Sequence, residues 1–155
     1  MKLKNLIAIL IVGFLGYFGY KYLVTNFSSE AMVYKRFANA LLDGDSARIK
    51  GILTEDRSAL EAFEAGTFRD KLVNGDVRFS WYEFKDKRVS ADGNTVTLIV
   101  VQNLRVDPPG SDTFYGEETR RDKHEVTLVK NQSSWEVESF RDTATSRYRA
   151  DQLAK

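Results

Sequence analysis

Polar side chains in the second half of the chain could take part in acid–base chemistry. They include His124, Tyr82 and Gln102. Because side chains alternate between the two faces of a strand, a strand that buries Val126 also turns His124 inward. The same alternation places Gln102 among apolar neighbours on the preceding strand, and it makes Tyr82 and Ser139 candidates for the same side of the sheet. Together these residues have the types needed for a general base with hydrogen-bonding partners.

The same residues also suit a second interpretation, a hydrogen-bonded polar cluster inside the core. Four carboxylates on the predicted strands alternate to the opposite face: Glu83, Asp86, Glu125 and Glu136. A single histidine, with no second histidine at ligand spacing, does not predict a metal site. We therefore expect no catalytic residue, no metal and no cofactor, while a ligand pocket lined by His124 stays an alternative.

The chain lacks the signatures of common active sites. It contains no G-x-x-x-x-G-K, G-x-G-x-x-G or G-x-S-x-G motif. It has no cysteine, which excludes disulfides, thiol catalysis and cysteine-ligated metals. Its 23 basic residues are balanced by 22 acidic ones. The basic cluster of Arg120, Arg121 and Lys123 alternates with acidic residues, which predicts a solvated strand face and no nucleic-acid partner.

The N-terminal segment is far more apolar than the rest of the chain. From Leu6 to Val24 the only charged residue is Lys21, and a helix over this run would be roughly 28 Å long, which predicts a transmembrane helix. A secretory signal peptide is the alternative, but no small-residue cleavage site follows, so we expect a retained signal anchor over residues 1–25. Lys2 and Lys4 predict a cytoplasmic N-terminus in the inner (cytoplasmic) membrane and a periplasmic, extracytoplasmic body.

Three glycines recur at every third position of this apolar segment. Gly13, Gly16 and Gly19 would form a surface where the backbone of another helix can approach closely. Glycine is also frequent in membrane helices that have no such contact. The spacing therefore favours helix packing as one of two interpretations.

Residues 26–142 have the pattern of one α+β domain. Apolar spacing and capping residues predict helices from Ser28 or Ser29 to about Leu42, from Ala47 to Leu53 and from about Ser58 to Leu72. Runs of β-branched and aromatic residues predict a sheet of antiparallel strands over Val77–Val89, Thr95–Val106, Glu117–Lys130 and Trp135–Arg141. Residues 143–155 are expected to form a polar C-terminal tail with a loose helix.

The order of these elements resembles a known superfamily. A helix ending in Leu41-Leu42-Asp43-Gly44-Asp45, a short helix with Ile49 and Leu53, and strands that close on Trp135-Glu136-Val137 are similar to the nuclear transport factor two-like (NTF2-like), or cystatin-like, cone. The resemblance implies helices that cover one face of a curved sheet. It also implies a pocket, which enzymes of the superfamily line with Asp, His or Tyr. Its members include non-catalytic periplasmic domains of single-span assembly factors, so the resemblance leaves the function open.

Large aromatic side chains are candidates for partner contacts. Trp81 and Phe84 lie on the first predicted strand, and Phe114 and Tyr115 lie in the loop after the second. We expect a non-catalytic, membrane-anchored accessory subunit of a bacterial membrane protein complex, which contacts the lipid bilayer and either other subunits or a second copy of itself. The alternatives are a small-ligand-binding, isomerase or hydrolase protein that uses the pocket, and a scaffold of a secretion or envelope assembly.

Overall fold

A computed structural model describes residues 3–54, 76–107 and 118–149. Helices come first and strands follow: α1 (Leu3–Asn26), α2 (Ser29–Asp43), α3 (Ser46–Lys50), β1 (Asp76–Val89), β2 (Thr95–Asp107), β3 (Glu118–Asn131) and β4 (Ser134–Arg149). The predicted layout of helices followed by an antiparallel sheet is confirmed, and the fold class is α+β. The predicted helix from Ser58 to Leu72 lies outside the described residues.

The prediction of a transmembrane helix is wrong. Although α1 is continuous from Leu3 to Asn26, none of the helices in the described ranges has the length and apolar character needed to cross a membrane. Glycines, tyrosines and Lys21 make the second half of α1 less apolar than its first half. The cytoplasmic N-terminus and periplasmic body were inferred from that span, and they stay predictions.

The junction between α1 and α2 is short and is held by several bonds. The backbone N–H of Phe27 donates to the carbonyl of Leu23 at 2.9 Å, which continues the hydrogen bonding of α1 one residue past Asn26. From α2, the Lys35 ammonium donates to the carbonyl of Asn26 at 2.9 Å. The same ammonium lies 5.1 Å from the centre of the Phe27 ring and 5.6 Å from that of Phe84 on β1. Lys35 therefore links the end of α1 to the sheet.

The caps of the short helices follow from the sequence. The Ser28 hydroxyl accepts the N–H of Ala31 and begins α2. Gly44 ends it in the left-handed conformation, with φ of 66°. The Asp45 carboxylate accepts the N–H of Arg48 at 3.0 Å and begins α3. Of the two candidate caps, Ser28 and Ser29, Ser28 caps α2, and the helix ends within one residue of the predicted Leu42.

The four strands form one antiparallel sheet in the order β1-β2-β3-β4. A turn through Gly93, with φ of 71°, joins β1 to β2. The pairing of β3 with β4 shifts register twice, next to His124 and next to Leu128. β4 continues to Arg149, so much of the predicted C-terminal tail is strand. The reason is backbone pairing: the polar end of β4 lies against the polar beginning of β3, where no apolar pattern is needed.

α2 packs on one face of the sheet, which we call the inner face. It buries side chains that include Tyr34, Phe37 and Leu41 against Leu98 and Val126. A smaller apolar cluster, Leu104 and Val106 with Leu42 and Val77, lies farther along β2. Along the inner face of β2, Gln102 separates the two clusters.

Candidate functional site

A row of polar side chains crosses the inner face of the sheet. Tyr82 on β1 pairs with Gln102 on β2, and Gln102 pairs with Asp122 on β3. His124 follows Asp122 two residues later and therefore lies on the same face. Gln102, Asp122 and His124 are fully or almost fully buried. The prediction that His124 and Gln102 point inward is confirmed.

His124 bonds to a tyrosine of α2. The Tyr34 hydroxyl and Nδ1 of His124 share a hydrogen bond of 2.7 Å. The imidazole is also enclosed by rings: its centre lies 4.8 Å from that of Phe140 and 6.2 Å from that of Tyr34. Both His124 and Tyr34 have no exposed surface. The pair fixes the position of α2 on β3.

Burial controls the protonation of this pair. It lowers the pKa of His124 to about 4, an effect that Asp142 opposes and Arg120 reinforces. Burial also raises the pKa of Tyr34 well above its usual value. At neutral pH both groups are uncharged. A general base works best when its pKa lies near the working pH, so the environment of His124 is poorly matched to base catalysis.

A buried ion pair lies beside the histidine. Nε of Arg120 donates to Asp122 Oδ1 at 2.8 Å, and both side chains are almost completely buried. The prediction that Arg120 belongs to a solvated face is wrong, whereas Arg121 and Lys123 are exposed as expected. The spacing along β3 was the signal that could have predicted this burial. Arg120 and Asp122 lie four and two residues before the buried His124, and residues two apart on a strand share a face. A carboxylate therefore does lie near the histidine.

Tyr82, at the β1 end of the polar row, bonds to a residue of α2. Its hydroxyl donates to Asn39 Oδ1. Burial raises the pKa of Tyr82. Within the described residues, Nε2 of Gln102 is buried and has no hydrogen-bond partner. The row is thus a polar layer inside the core, with its tyrosine near the exposed Asn39.

Ser139 does not join this cluster. The register shift on β4 between Val137 and Ser139 reverses the alternation of side chains. Val137 is buried and Ser139 is exposed. Four acidic side chains are exposed or only partly buried, as their alternation predicts: Glu83, Asp86, Glu125 and Glu136.

The aromatic residues of β1 divide between the two faces. Phe84 lies on the inner face, where its ring centre is 5.9 Å from that of Tyr34. Trp81 lies on the opposite face of the sheet, which we call the outer face. Its ring centre is 5.7 Å from that of Phe79, and the Phe79 side chain is 59% exposed. Phe84 packs on the core, and a partner contact at Trp81 stays a prediction. Phe114 and Tyr115 lie outside the described residues.

α1 presents apolar side chains to solvent around its circumference. Leu10 is 65% exposed, and Val12 and Tyr20 are each 69% exposed. Added Cβ atoms at Gly13, Gly16 and Gly19 would meet nothing within 4 Å. The glycine surface is therefore uncovered in this chain, as is most of the helix.

Neither a metal-binding cluster nor a similar protein indicates what this site does. Among the described residues, no three histidine or acidic side chains form a cluster that could hold a metal ion. No protein-family profile matches the sequence, and no curated protein matches it either. The resemblance to the NTF2-like cone stays a prediction.

Proposed function

We propose that this protein is a non-catalytic accessory subunit that binds partner proteins through α1. The observation behind the proposal is the exposed apolar surface of that helix. Monomeric proteins rarely expose large continuous apolar surfaces, and such surfaces mark interaction sites. Because apolar residues surround α1, one flat partner would leave much of the surface uncovered. A set of apolar helices from partner subunits would cover it.

The inner polar cluster supports a structural role over a catalytic one. Its histidine is neutral and bonded to Tyr34, and its carboxylate is paired with Arg120. These groups bond to one another inside the core, which is how buried polar groups contribute to a single packed arrangement. The alternative, a ligand pocket lined by His124, Tyr82 and Gln102, requires that these residues contact a ligand.

The proposal can be tested by extraction in mild detergent followed by site-specific crosslinking. A photoreactive side chain is placed at Val12 or Tyr20, and a matched one at the exposed Arg36 on α2. We expect the chain to migrate in a large native assembly and to form crosslinks from the two α1 positions only. Migration as a single chain, with no crosslink from α1, would refute the proposal.

The glycines provide a second test. Because Cβ atoms at these positions meet nothing in the chain itself, replacing Gly13, Gly16 and Gly19 by leucine should leave its fold and melting temperature unchanged. Any loss of co-migrating partners would then report on the contact between α1 and those partners. If the assembly persists in this variant, the glycines have no role in packing, although other faces of α1 remain available.

A further inference from the structure

A shallow groove runs along the outer face of the sheet, opposite the polar cluster. Its volume is about 620 Å³, and its lining includes Ile99 and Val101 from β2. Both aliphatic side chains are only partly buried. Lys85, Arg88 and Lys123 are charged residues of the same lining. The groove therefore combines an apolar floor with charged walls, in which two carboxylates, Asp86 and Glu125, accompany the three cations.

The carboxylates of this region are already bound to cations. Glu83 pairs with Lys85 at 2.5 Å, Asp86 with Arg88 at 2.8 Å, and Glu125 with Arg141 at 2.6 Å. These contacts lower the pKa values of Glu83 and Glu125, chiefly through hydrogen bonds from Lys85 and Arg141. At neutral pH both carboxylates are therefore ionised, and each is paired with a cation.

Lys123 differs from the other cations of the groove. Its side chain is exposed, and across the described residues it takes part in none of the ion pairs. Arg121 adds a further exposed cation, 3.7 Å from Glu83. The groove and its ion-paired neighbours thus hold five cations, Lys85, Arg88, Arg121, Lys123 and Arg141, against three carboxylates.

This excess of positive charge decides between two kinds of occupant. If a second copy of the chain packed face to face on the groove, each positive surface would meet another, which is unfavourable. An acidic segment would instead supply a carboxylate to Lys123 and place apolar side chains on Ile99 and Val101. An extended segment suits the surface, because its alternate side chains all point to one face.

We propose that the outer groove binds an extended acidic segment of a partner protein. This inference adds the chemistry of a second contact to the proposed accessory role, and it uses a surface other than α1. Lys123 supplies the cation that pairs with the segment, and Ile99 with Val101 supplies the apolar floor.

The test uses the full chain in a nonionic detergent and an octapeptide of alternating glutamate and valine as the probe. An octapeptide of alternating lysine and valine controls for apolar binding to the micelle. We expect the glutamate peptide to bind, and its affinity to fall several-fold between low salt and about 0.5 M salt, because salt screens exposed charges. Lys123→Glu should weaken binding at least fivefold. The matched variant, Lys130→Glu, reverses an exposed charge on the same strand outside the groove and should change binding less than twofold.

Four outcomes would overturn the inference. They are no binding of the glutamate peptide, equal binding of the two peptides, equal effects of the two variants, and a self-associated species that Lys123→Glu dissociates, which would assign the groove to a second copy. The peptide assay does not involve α1. Peptide binding without crosslinks from α1 would therefore refute only the proposed function, and crosslinks without peptide binding would refute only this inference.

Discussion

Protonation of His124 should make the stability of the fold depend on pH. Burial lowers the pKa of this group from 6.5 to about 4 in the folded chain. Because the folded pKa lies below the unfolded one, the contribution to stability is complete above pH 6.5 and is lost as the pH falls toward 4. Linkage between these two values gives a loss of about 2.5 kcal/mol between pH 7.5 and pH 4.5.

The assay compares urea unfolding of the full chain with that of His124→Gln, both in nonionic detergent. The two tryptophans of the chain, Trp81 and Trp135, report unfolding by fluorescence. Glutamine retains polar atoms and does not titrate, and the variant keeps Asp142 and every other carboxylate. The difference between the two pH profiles therefore isolates the histidine. Since the chain contains one histidine, its NMR titration gives the folded pKa without assignment.

The expected result is a wild-type profile that falls more steeply with decreasing pH than the profile of the variant. Parallel profiles from pH 7.5 to pH 4.5 would refute the reasoning. So would a folded pKa near 6.5, because it would mean that water or a proton acceptor reaches the imidazole. Either result would also return the inner cluster to consideration as a binding pocket.

Further predictions concern packing, backbone conformation and hydrogen bonding, and each can be measured by urea unfolding at pH 7.5. Leu98→Ala should lower the free energy of unfolding by about 2–5 kcal/mol, since it opens a cavity at a fully buried site. Gly44→Ala should cost about 1–2 kcal/mol, because φ is 66° there. Arg141→Ala should leave the free energy of unfolding nearly unchanged, because its pair with Glu125 is exposed. Gln102→Leu should leave stability unchanged or raise it, since it removes a buried amide whose Nε2 lacks a partner; a clear loss would contradict this.

Local signals in the sequence are sufficient to predict several elements of the fold. The Ser28 cap and the Gly44 turn depend on short-range backbone geometry, so they can be predicted from neighbouring residues. Strand alternation was sufficient to place His124 and Gln102 on the inner face, because that part of each strand is regular. The α+β layout follows from the change of period between the two halves of the chain.

Other features depended on distant pairing and could not be predicted in this way. A register shift on β4 turns Ser139 outward, and nothing in its local sequence marks the bulge. The strand beyond Arg141 is polar and forms because β3 provides a partner backbone. The charge of Arg120 predicts a solvated face, but Asp122 neutralises that charge, so the two side chains can be buried together.

The contacts of Lys35 couple the orientation of α1 to that of the sheet domain. A helix of 24 residues is a rod of about 36 Å, and it joins α2 with no glycine or proline at the junction. Lys35 fastens the end of this rod to α2 and to Phe84 of the sheet. A tilt imposed on α1 would therefore either break these Lys35 contacts or turn the sheet domain with it. A partner that fixes the angle of α1 while these contacts hold also sets the direction in which the outer groove faces.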